Sequence, residues 1–255
     1  MKPPILLVDD NDEILAFLSD DLSDKYEVLT ALNGKEALQL LLETPVQLVI
    51  SDIMMPVMDG FELCRQIKSN VEYSHVPVIL LTAKNTFQAK IQGLELGADA
   101  YIEKPFSPEY LQAQIANLLT NRNKIKAYFA SSPMAHIKSI AYSKADETFI
   151  ETLNDTIDKH IVNINLDVEQ LADMMNMSRP TLYRKIKALS DLTPHELINI
   201  ARLKKAAELL ATGQYKIYEI SEMVGYSSQT HFGKNFLKQF GMSPTEYIAL
   251  KRTEK

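Results

Sequence analysis

The chain has 255 residues, 46% of them hydrophobic, and a formal net charge of −6, a length that allows one large domain or two smaller ones. No apolar stretch approaches the roughly 18–20 residues that span a membrane, and the N-terminus lacks the pattern of a secretory signal. The single cysteine, Cys64, excludes an internal disulfide, so we expect a cytoplasmic protein in a reducing compartment, with no membrane contact by this segment.

Two hydrophobic patterns alternate along residues 1–120. Short runs rich in Val, Ile and Leu predict strands near residues 5–8, 26–30, 47–51, 77–81 and 100–102. Amphipathic stretches between them predict helices near residues 12–22, 34–43, 60–68, 86–96 and 108–120. This (βα)₅ order predicts an α/β domain with a parallel sheet and helices on both faces.

The second half of the chain has a different pattern. Residues 121–146 lack a long apolar period and contain Ser131-Ser132-Pro133, so we interpret them as a linker whose beginning can continue the preceding helix. Residues 147–255 show a helical period with no convincing strand, which predicts an all-α domain.

An internal repeat runs through the helical half. Two capping boxes, Thr193 to Glu196 and Ser243 to Glu246, mark equivalent helix starts. Each copy predicts a short helix, a turn and a second helix, and a helix near 194–211 joins the copies. The turns lie at 174–178 and 223–227. The predicted core positions are Val168, Leu171, Met175, Leu182 and Ile186 in the first copy, and Ile217, Ile220, Val224, Phe232 and Phe236 in the second.

The charge is distributed unevenly between the two halves. Residues 1–120 carry 8 Lys and Arg against 18 Asp and Glu, a net −10, whereas residues 121–255 carry 19 against 15, a net +4. Within 174–238 the count is 10 against 5, a net +5. The asymmetry suggests different partners for the two halves, although ordinary solvated surface would also produce it.

Polar side chains recur at the carboxyl ends of four predicted strands. They are Asp9 and Asp10, Asp52, Thr82 and Lys104. Ligands bind at this edge of an open α/β sheet, so three carboxylates, a hydroxyl and an ammonium are expected to share one crevice. Each residue also has a structural interpretation, since a strand-end Asp is often only a helix cap, but the ordered recurrence favours a site.

The chemistry of such a crevice suits phosphoryl transfer. Clustered carboxylates favour a bound cation, and hard oxygen ligands suit Mg²⁺. A carboxylate near Mg²⁺ can attack phosphorus to give an acyl phosphate. Lys104 would hold a phosphoryl oxygen as a point charge, and Thr82 would donate a short-range hydrogen bond.

Residues 1–120 resemble a response-regulator receiver domain, which has a flavodoxin-like fold. The motifs are Val-Asp-Asp at 8–10, Ser-Asp-Ile-Met-Met-Pro-Val-Met-Asp-Gly at 51–60, Leu-Thr-Ala at 81–83 and Glu-Lys-Pro-Phe at 103–106. The resemblance implies Asp52 as phosphoacceptor and a histidine kinase as phosphodonor. It implies that the Mg²⁺ ligands are Asp9, Asp10, Asp52 and the backbone carbonyl of Met54. It also makes Tyr101 an aromatic switch that follows Thr82, although Tyr101 equally fits a half-buried strand aromatic.

Each helical repeat predicts a polar face on its second helix. With the apolar residues of each helix packed inward, the outward set in the first copy is Arg179, Thr181, Arg184 and Lys187, and in the second copy Gln229, Thr230 and Lys234. Arg and Gln can read base edges, while Lys and Thr often hold phosphates. Two such helices are expected to address double-stranded DNA in successive major-groove faces, about one helical turn apart.

Residues 147–255 resemble the DNA-binding domain of the AraC family of transcription regulators. The stronger signature is in the second copy, with Val-Gly-Tyr-Ser-Ser at 224–228, His-Phe at 231–232 and Phe-Gly-Met-Ser-Pro at 240–244. Two residues depart from the family pattern. His231 stands where many relatives have Tyr. Gly233 lies inside the second recognition helix and should lower the stability of that helix by about 1 kcal/mol relative to Ala.

These features predict a two-component response regulator in which phosphorylation of Asp52 controls DNA binding and transcription. Residues 86–120 are candidate dimer surfaces, by family analogy, for a homodimer formed on activation. Two alternatives have the same receiver: the C-terminal portion of a membrane hybrid sensor kinase, or a phosphoswitch that only docks to proteins. A kinase or phosphatase is disfavoured, because the chain has no glycine-rich ATP loop and self-dephosphorylation only resets a switch.

Overall fold

The computed structural model describes residues 2–83, 95–131 and 140–253, which divide into two compact units. The first comprises residues 1–124 with 141–147, and the second comprises residues 125–140 with 148–255. Most of the predicted helix near 86–96, and with it part of the candidate dimer surface, lies outside the described residues. In the described part of the chain, no helix combines the length and apolar character needed to cross a membrane.

The first unit is built on a parallel sheet. Its strands are β1 (Pro4–Val8), β2 (Glu27–Ala31), β3 (Leu48–Asp52), β4 (Val78–Thr82) and β5 (Ala100–Glu103), in the spatial order β2-β1-β3-β4-β5. The helices described around it are α1 (Asp12–Ser23), α2 (Gly34–Glu43), α3 (Gly60–Ser69) and α4 (Pro108–Ser131). The predicted α/β fold with a parallel sheet is therefore confirmed.

Alternation along the strands supplies a core on each face of the sheet, because successive side chains of a strand point to opposite faces. On one face, Leu6 and Val49 pack in a cluster that includes Leu63 of α3. On the other face, Ile5 and Ile50 pack with residues of α1 and α4. Both faces are thus covered, which explains why the strands read as nearly continuous apolar runs.

Helix α4 is longer than the predicted segment 108–120. Residues 109–131 contain no Gly or Pro, so nothing in the sequence ends the helix before Ser131. The beginning of the predicted linker is consequently helical, and the later segment 141–147 groups with the sheet-containing unit.

The regular secondary structure in the described residues of the second unit is helical, as predicted. Its helices are α5 (Lys144–Lys159), α6 (Val168–Met174), α7 (Arg179–Ser190), α8 (Pro194–Thr212), α9 (Ile217–Met223), α10 (Gln229–Phe240) and α11 (Pro244–Thr253). Both predicted capping boxes form: Thr193 and Glu196 exchange hydrogen bonds at the start of α8, and Ser243 and Glu246 do so at the start of α11.

The predicted repeat is visible in the backbone of both turns. Asn176 and Gly225 occupy equivalent positions and both have positive φ, 52° and 76°, which Asn and Gly tolerate better than other residues. The following amides make equivalent bonds, Met177 N to Ala172 O and Tyr226 N to Ser221 O, at 3.0 and 2.9 Å. In the second copy, the buried residues Ile220, Val224, Phe232 and Phe236 pack against one side of α8.

Candidate phosphorylation site and nucleic-acid interface

The sheet brings polar residues together at its carboxyl edge. Asp52 and Thr82 are the last residues of β3 and β4, Asp9 follows β1, and Lys104 follows β5. Asp9, Asp52 and Thr82 are buried, with 3%, 7% and 2% of their surface exposed. The backbone N–H of Lys104 donates to the carbonyl of Thr82 at 2.7 Å, which fixes the start of the Lys104 side chain beside the end of β4.

Lys104 links the two buried carboxylates. Its Nζ lies 2.6 Å from Oδ1 of Asp52 and 2.8 Å from Oδ2 of Asp9. Partial burial alone would lower the pKa of the ammonium, but the hydrogen bonds and charges of Asp52 and Asp9 outweigh that effect and raise it. Because the folded-state pKa is raised, this contribution to stability is fully present at neutral pH and is lost only under strongly alkaline conditions.

Backbone amides engage the other oxygens of the two carboxylates. The N–H of Met54 donates to Oδ2 of Asp52 at 2.6 Å, and the N–H of Asn11 donates to Oδ1 of Asp9 at 3.0 Å. Gly60 leaves space beside this loop, since a Cβ at Gly60 would lie 2.2 Å from the carbonyl oxygen of Asp52. The path of the β3–α3 loop therefore requires glycine at this position.

The charge of the crevice is incompletely balanced. The buried carboxylates of Asp9 and Asp52 bring two formal negative charges against the one positive charge of Lys104, leaving an excess of one. Asp10 is exposed, and across residues 2–83, 95–131 and 140–253 no three His, Cys, Asp or Glu side chains converge closely enough to hold a metal ion by themselves. The donors nevertheless fit Mg²⁺, which takes one or two protein carboxylates and keeps several waters.

Tyr101 lies on β5, one residue away from Ile102 of the core and paired in register with Leu80 of β4. Its ring packs at the edge of the core that contains Leu80. Its hydroxyl is buried and has no hydrogen-bond partner among the described residues. Tyr101 also lines a cavity of about 530 Å³ together with Glu103, Phe106 and Tyr110. The aromatic ring thus has open space beside it on the β5 side.

Removing the ammonium tests how far Lys104 stabilises the crevice. We expect Lys104→Met to lower the free energy of unfolding by about 2 kcal/mol, less than the roughly 3–5 kcal/mol for breaking a fully buried pair, because the Lys104 side chain is 22% exposed. Urea unfolding of both proteins with and without Mg²⁺ measures this. Added Mg²⁺ should recover more stability in the variant than in the wild type. Equal stability of the two proteins without Mg²⁺ would contradict the expectation.

In the first helix-turn-helix, α7 begins at Ser178, whose hydroxyl accepts the N–H of Thr181. The predicted residues Arg179, Arg184 and Lys187 are exposed, and Thr181 is half-buried. Lys187 forms an ion pair with Asp191 at 3.1 Å at the end of the helix. The predicted outward face therefore exists, with Lys187 held at its carboxyl end.

Two residues of α7 have an exposure that the sequence does not predict. Lys185, between Arg184 and Ile186, is 1% exposed and lies over the ring of Phe149 at 5.8 Å, so it belongs to the interior. Tyr183 is 43% exposed on the outer side and was not among the predicted contacts. Its position, one residue after the apolar Leu182, is the signal that could have identified it.

In the second helix-turn-helix, Gln229, Thr230 and Lys234 are exposed, as is His231. His231 Nε2 lies 3.3 Å from Nδ2 of Asn235, whose amide also reaches the hydroxyl of Tyr226 at 3.5 Å. Helix α10 is continuous through Gly233, and a Cβ at Gly233 would meet no atom within 4 Å. The glycine therefore serves no close packing contact within the described structure.

Comparison with known proteins assigns both units. Residues 5–116 match the model of the response regulator receiver domain, and residues 171–249 match the model of a helix-turn-helix domain. The sheet, its strand order and the matched residues thus define the first unit as a receiver domain.

The relatives include proteins of different lengths. Histidine kinase P4 of Formosa agariphila is 39% identical over 246 residues, which are 96% of this chain and 18% of that protein. The probable transcriptional regulator ycf27 of Porphyra purpurea is 41% identical over 146 residues, 57% of this chain and 58% of that protein. The chain therefore spans less than two thirds of either relative.

Among solved structures, the receiver domain of a signal transduction histidine kinase from Syntrophus aciditrophicus is 36% identical. The match covers 47% of this chain and 91% of that one, with a TM-score of 0.45. The chain therefore carries a match to a receiver domain followed by a match to a C-terminal helix-turn-helix domain.

Proposed function

We propose that phosphorylation of Asp52, assisted by Mg²⁺, controls sequence-specific binding of the C-terminal domain to DNA. The observation that carries the proposal is the ammonium of Lys104 placed between the buried carboxylates of Asp9 and Asp52 at 2.8 and 2.6 Å. This constellation suits a carboxylate that accepts a phosphoryl group, because positive charge already lies where the phosphoryl oxygens would arrive.

The chemical step is the transfer of a phosphoryl group from a histidine kinase or a small phosphodonor. A carboxylate oxygen of Asp52 forms a bond to phosphorus while the bond from phosphorus to the donor atom breaks and the donor keeps its electron pair. Lys104 then holds a phosphoryl oxygen, and the hydroxyl of Thr82 donates to another. Asp9, Asp10, Asp52 and the carbonyl of Met54 would hold Mg²⁺, which neutralises negative charge on the transferring group.

The conformational response uses Thr82 and Tyr101. The acyl phosphate adds charge and acceptor oxygens at the end of β4, so it stabilises the conformation in which Thr82 turns toward it. That movement empties space into which the Tyr101 ring can turn. The shift in population depends only on the difference in interaction free energy between the two conformations.

The DNA-binding face is assigned to α7 and α10. We propose that Arg179, Thr181, Arg184 and Lys187 act in the first half, and Gln229, Thr230 and Lys234 in the second. Both helices expose these polar residues, apart from the half-buried Thr181, and bury an apolar side, as recognition helices in a major groove do. Basic residues in both helices also favour attraction to the phosphate backbone.

Substitution of Arg184 tests the assignment of this DNA-binding face most directly. We expect Arg184→Ala to weaken binding to a selected site by about tenfold or more and to relax base preference, because a bidentate Arg–base contact contributes about 1–3 kcal/mol of discrimination. Binding titrations with the selected and a scrambled duplex measure both effects. Lys205→Ala is a suitable control, since Lys205 is exposed on α8 and paired with Glu208. Unchanged affinity and preference for Arg184→Ala would contradict the assignment.

The salt dependence of DNA binding distinguishes this proposal from the alternative of a phosphoswitch that only docks to proteins. DNA binding through several phosphate contacts imposes a steep decrease in the logarithm of affinity with the logarithm of salt concentration. A mobility-shift series from low to moderate salt should therefore show this slope. Absence of binding to any duplex, phosphorylated or not, would favour the protein-docking function.

A second candidate concerns the whole protein. A receiver followed by an AraC-type domain can form part of a hybrid sensor, and the match of 96% of this chain to 18% of the Formosa histidine kinase favours it. In both candidates the region itself acts as a non-enzymatic regulator in the cytoplasm. We propose residues 1–120 as receiver, 121–146 as linker and 147–255 as DNA-binding domain, with dimerisation on activation through the receiver.

A further inference from the structure

A second charged cluster lies at the opposite, amino-terminal edge of the sheet. Lys68 of α3 and Arg122 of α4 both contact Asp99, which precedes β5. Lys68 Nζ lies 2.6 Å from Oδ2, and Arg122 Nη2 lies 2.7 Å from Oδ1. The side chains are largely buried: Lys68 is 7% exposed, Arg122 is 11% exposed and Asp99 is 16% exposed. This cluster therefore has two buried cations for one carboxylate.

Two backbone carbonyls also accept hydrogen bonds from these cations. Lys68 donates to the carbonyl of Val76 at 2.8 Å, and Arg122 donates to the carbonyl of His75. Burial lowers the pKa of Lys68, although Asp99 opposes that shift. One positive charge in excess, held in a partly buried site, favours an additional negative group nearby.

A segment of the predicted linker packs beside this cluster. Residues 141–147 group with the receiver, and the guanidinium of Arg122 lies over the ring of Tyr142 at 4.1 Å. The hydroxyl of Tyr142 donates to the carbonyl of Arg122 at 3.3 Å. Asp146 is 0% exposed, and its Oδ1 accepts the hydroxyl of Ser74 at 2.7 Å. A cation–π contact, a buried carboxylate and a hydroxyl thus hold the segment.

Asp146 also caps the start of α5, since its Oδ2 accepts the N–H of Tyr142 at 3.2 Å. Capping alone does not explain its burial. Glu196 and Glu246 accept comparable backbone N–H groups, those of Thr193 and Ser243, at the starts of α8 and α11 and are exposed. What distinguishes Asp146 is its contact with Ser74, a residue of the receiver 72 positions away along the chain.

We propose that the receiver carries a docking site for its own linker, formed by Ser74 and by Arg122, which Asp99 holds in place, and that residues 141–147 occupy it with Tyr142 and Asp146. The docked segment includes the first turn of α5. The site lies at the opposite edge of the sheet from Asp52, and docking is therefore separable from phosphorylation chemistry.

Hydrogen–deuterium exchange of the full chain tests the docking site. In Asp146→Asn, amides of residues 141–147 should exchange about tenfold faster or more, since a hydrogen bond to a charged group contributes at least about a tenfold change in an equilibrium constant. Peptides from β1 and β3 should keep their wild-type protection, and labelling of Asp52 by acetyl phosphate should not change. Glu147→Gln is the matched control, because it neutralises the next residue of the same helical turn, whose partner Lys144 is exposed.

Ser74→Ala gives a second route that leaves the linker sequence intact, and it should also accelerate exchange in 141–147. Unchanged exchange there in both variants would overturn the proposal. Equal acceleration in Glu147→Gln would also overturn it, since the effect would then come from the helix terminus. So would equal acceleration in β1 and β3, because Asp146 would then stabilise the whole receiver rather than a separable contact.

Discussion

Replacing Asp52 with Asn should abolish the incorporation of phosphate from acetyl phosphate. The amide matches the carboxylate in size, so the loop to Met54 should keep its shape, but the amide lacks the anionic oxygen that attacks phosphorus. The expected result is loss of labelling to background. It is measured with radiolabelled acetyl phosphate or a phosphate-affinity gel in the presence of Mg²⁺.

The control for this variant is Asp12→Asn, which neutralises an exposed aspartate in the first turn of α1. Labelling of the control should match the wild type. The phosphate on the wild-type protein should be released by hydroxylamine, as expected of an acyl phosphate. Incorporation that persists in Asp52→Asn at a site stable to acid would contradict the assignment of Asp52.

Two glycines of the second helix-turn-helix should respond in opposite directions to alanine. At Gly225, φ is +76°, and a Cβ would lie 2.4 Å from the carbonyl oxygen of Ile161 and 3.0 Å from Nη2 of Arg202. A left-handed conformation disfavours Ala by about 1–2 kcal/mol, and displacing packed neighbours costs about 1–3 kcal/mol more. We expect Gly225→Ala to destabilise the DNA-binding domain by about 2–5 kcal/mol.

Gly233 provides the matched comparison in the same domain. Its position is helical and open, so Ala should fit without strain and stabilise the domain by about 1 kcal/mol. Urea unfolding followed by circular dichroism, with both variants in the full chain, measures the two shifts. Equal destabilisation by both substitutions would show that the crowding at Gly225 and the open space at Gly233 do not govern stability here.

The sequence was sufficient to predict the carboxyl-edge grouping of Asp9, Asp52, Thr82 and Lys104. Short apolar strands that alternate with amphipathic helices favour a parallel sheet, and the carboxyl ends of its strands meet at one edge. The sequence could not predict which carboxylates Lys104 would contact, because a long flexible side chain reaches either partner. Its bridging position between Asp9 and Asp52 depends on the loops, which have no periodic pattern.

The position of the docked linker also could not be predicted from the sequence. The lack of an apolar period in residues 121–146 indicates a linker, yet Asp146 is fully buried beside Ser74. A single polar pair, far apart in sequence, leaves no periodic signal. Lys185 is a comparable case, since its charge suggests an exposed position, yet it is 1% exposed and its ammonium lies over the ring of Phe149. Tertiary packing decides such positions.

The central claim, that phosphorylation of Asp52 controls DNA binding, is tested most directly by selection of DNA fragments from a genomic pool. The full chain would be used with Mg²⁺, with and without acetyl phosphate, beside Asp52→Asn. We predict that phosphorylation changes the recovery of a common sequence motif in the wild type and leaves recovery by Asp52→Asn unchanged. Recovery of no motif in any state, or the same response to acetyl phosphate in both proteins, would contradict the claim.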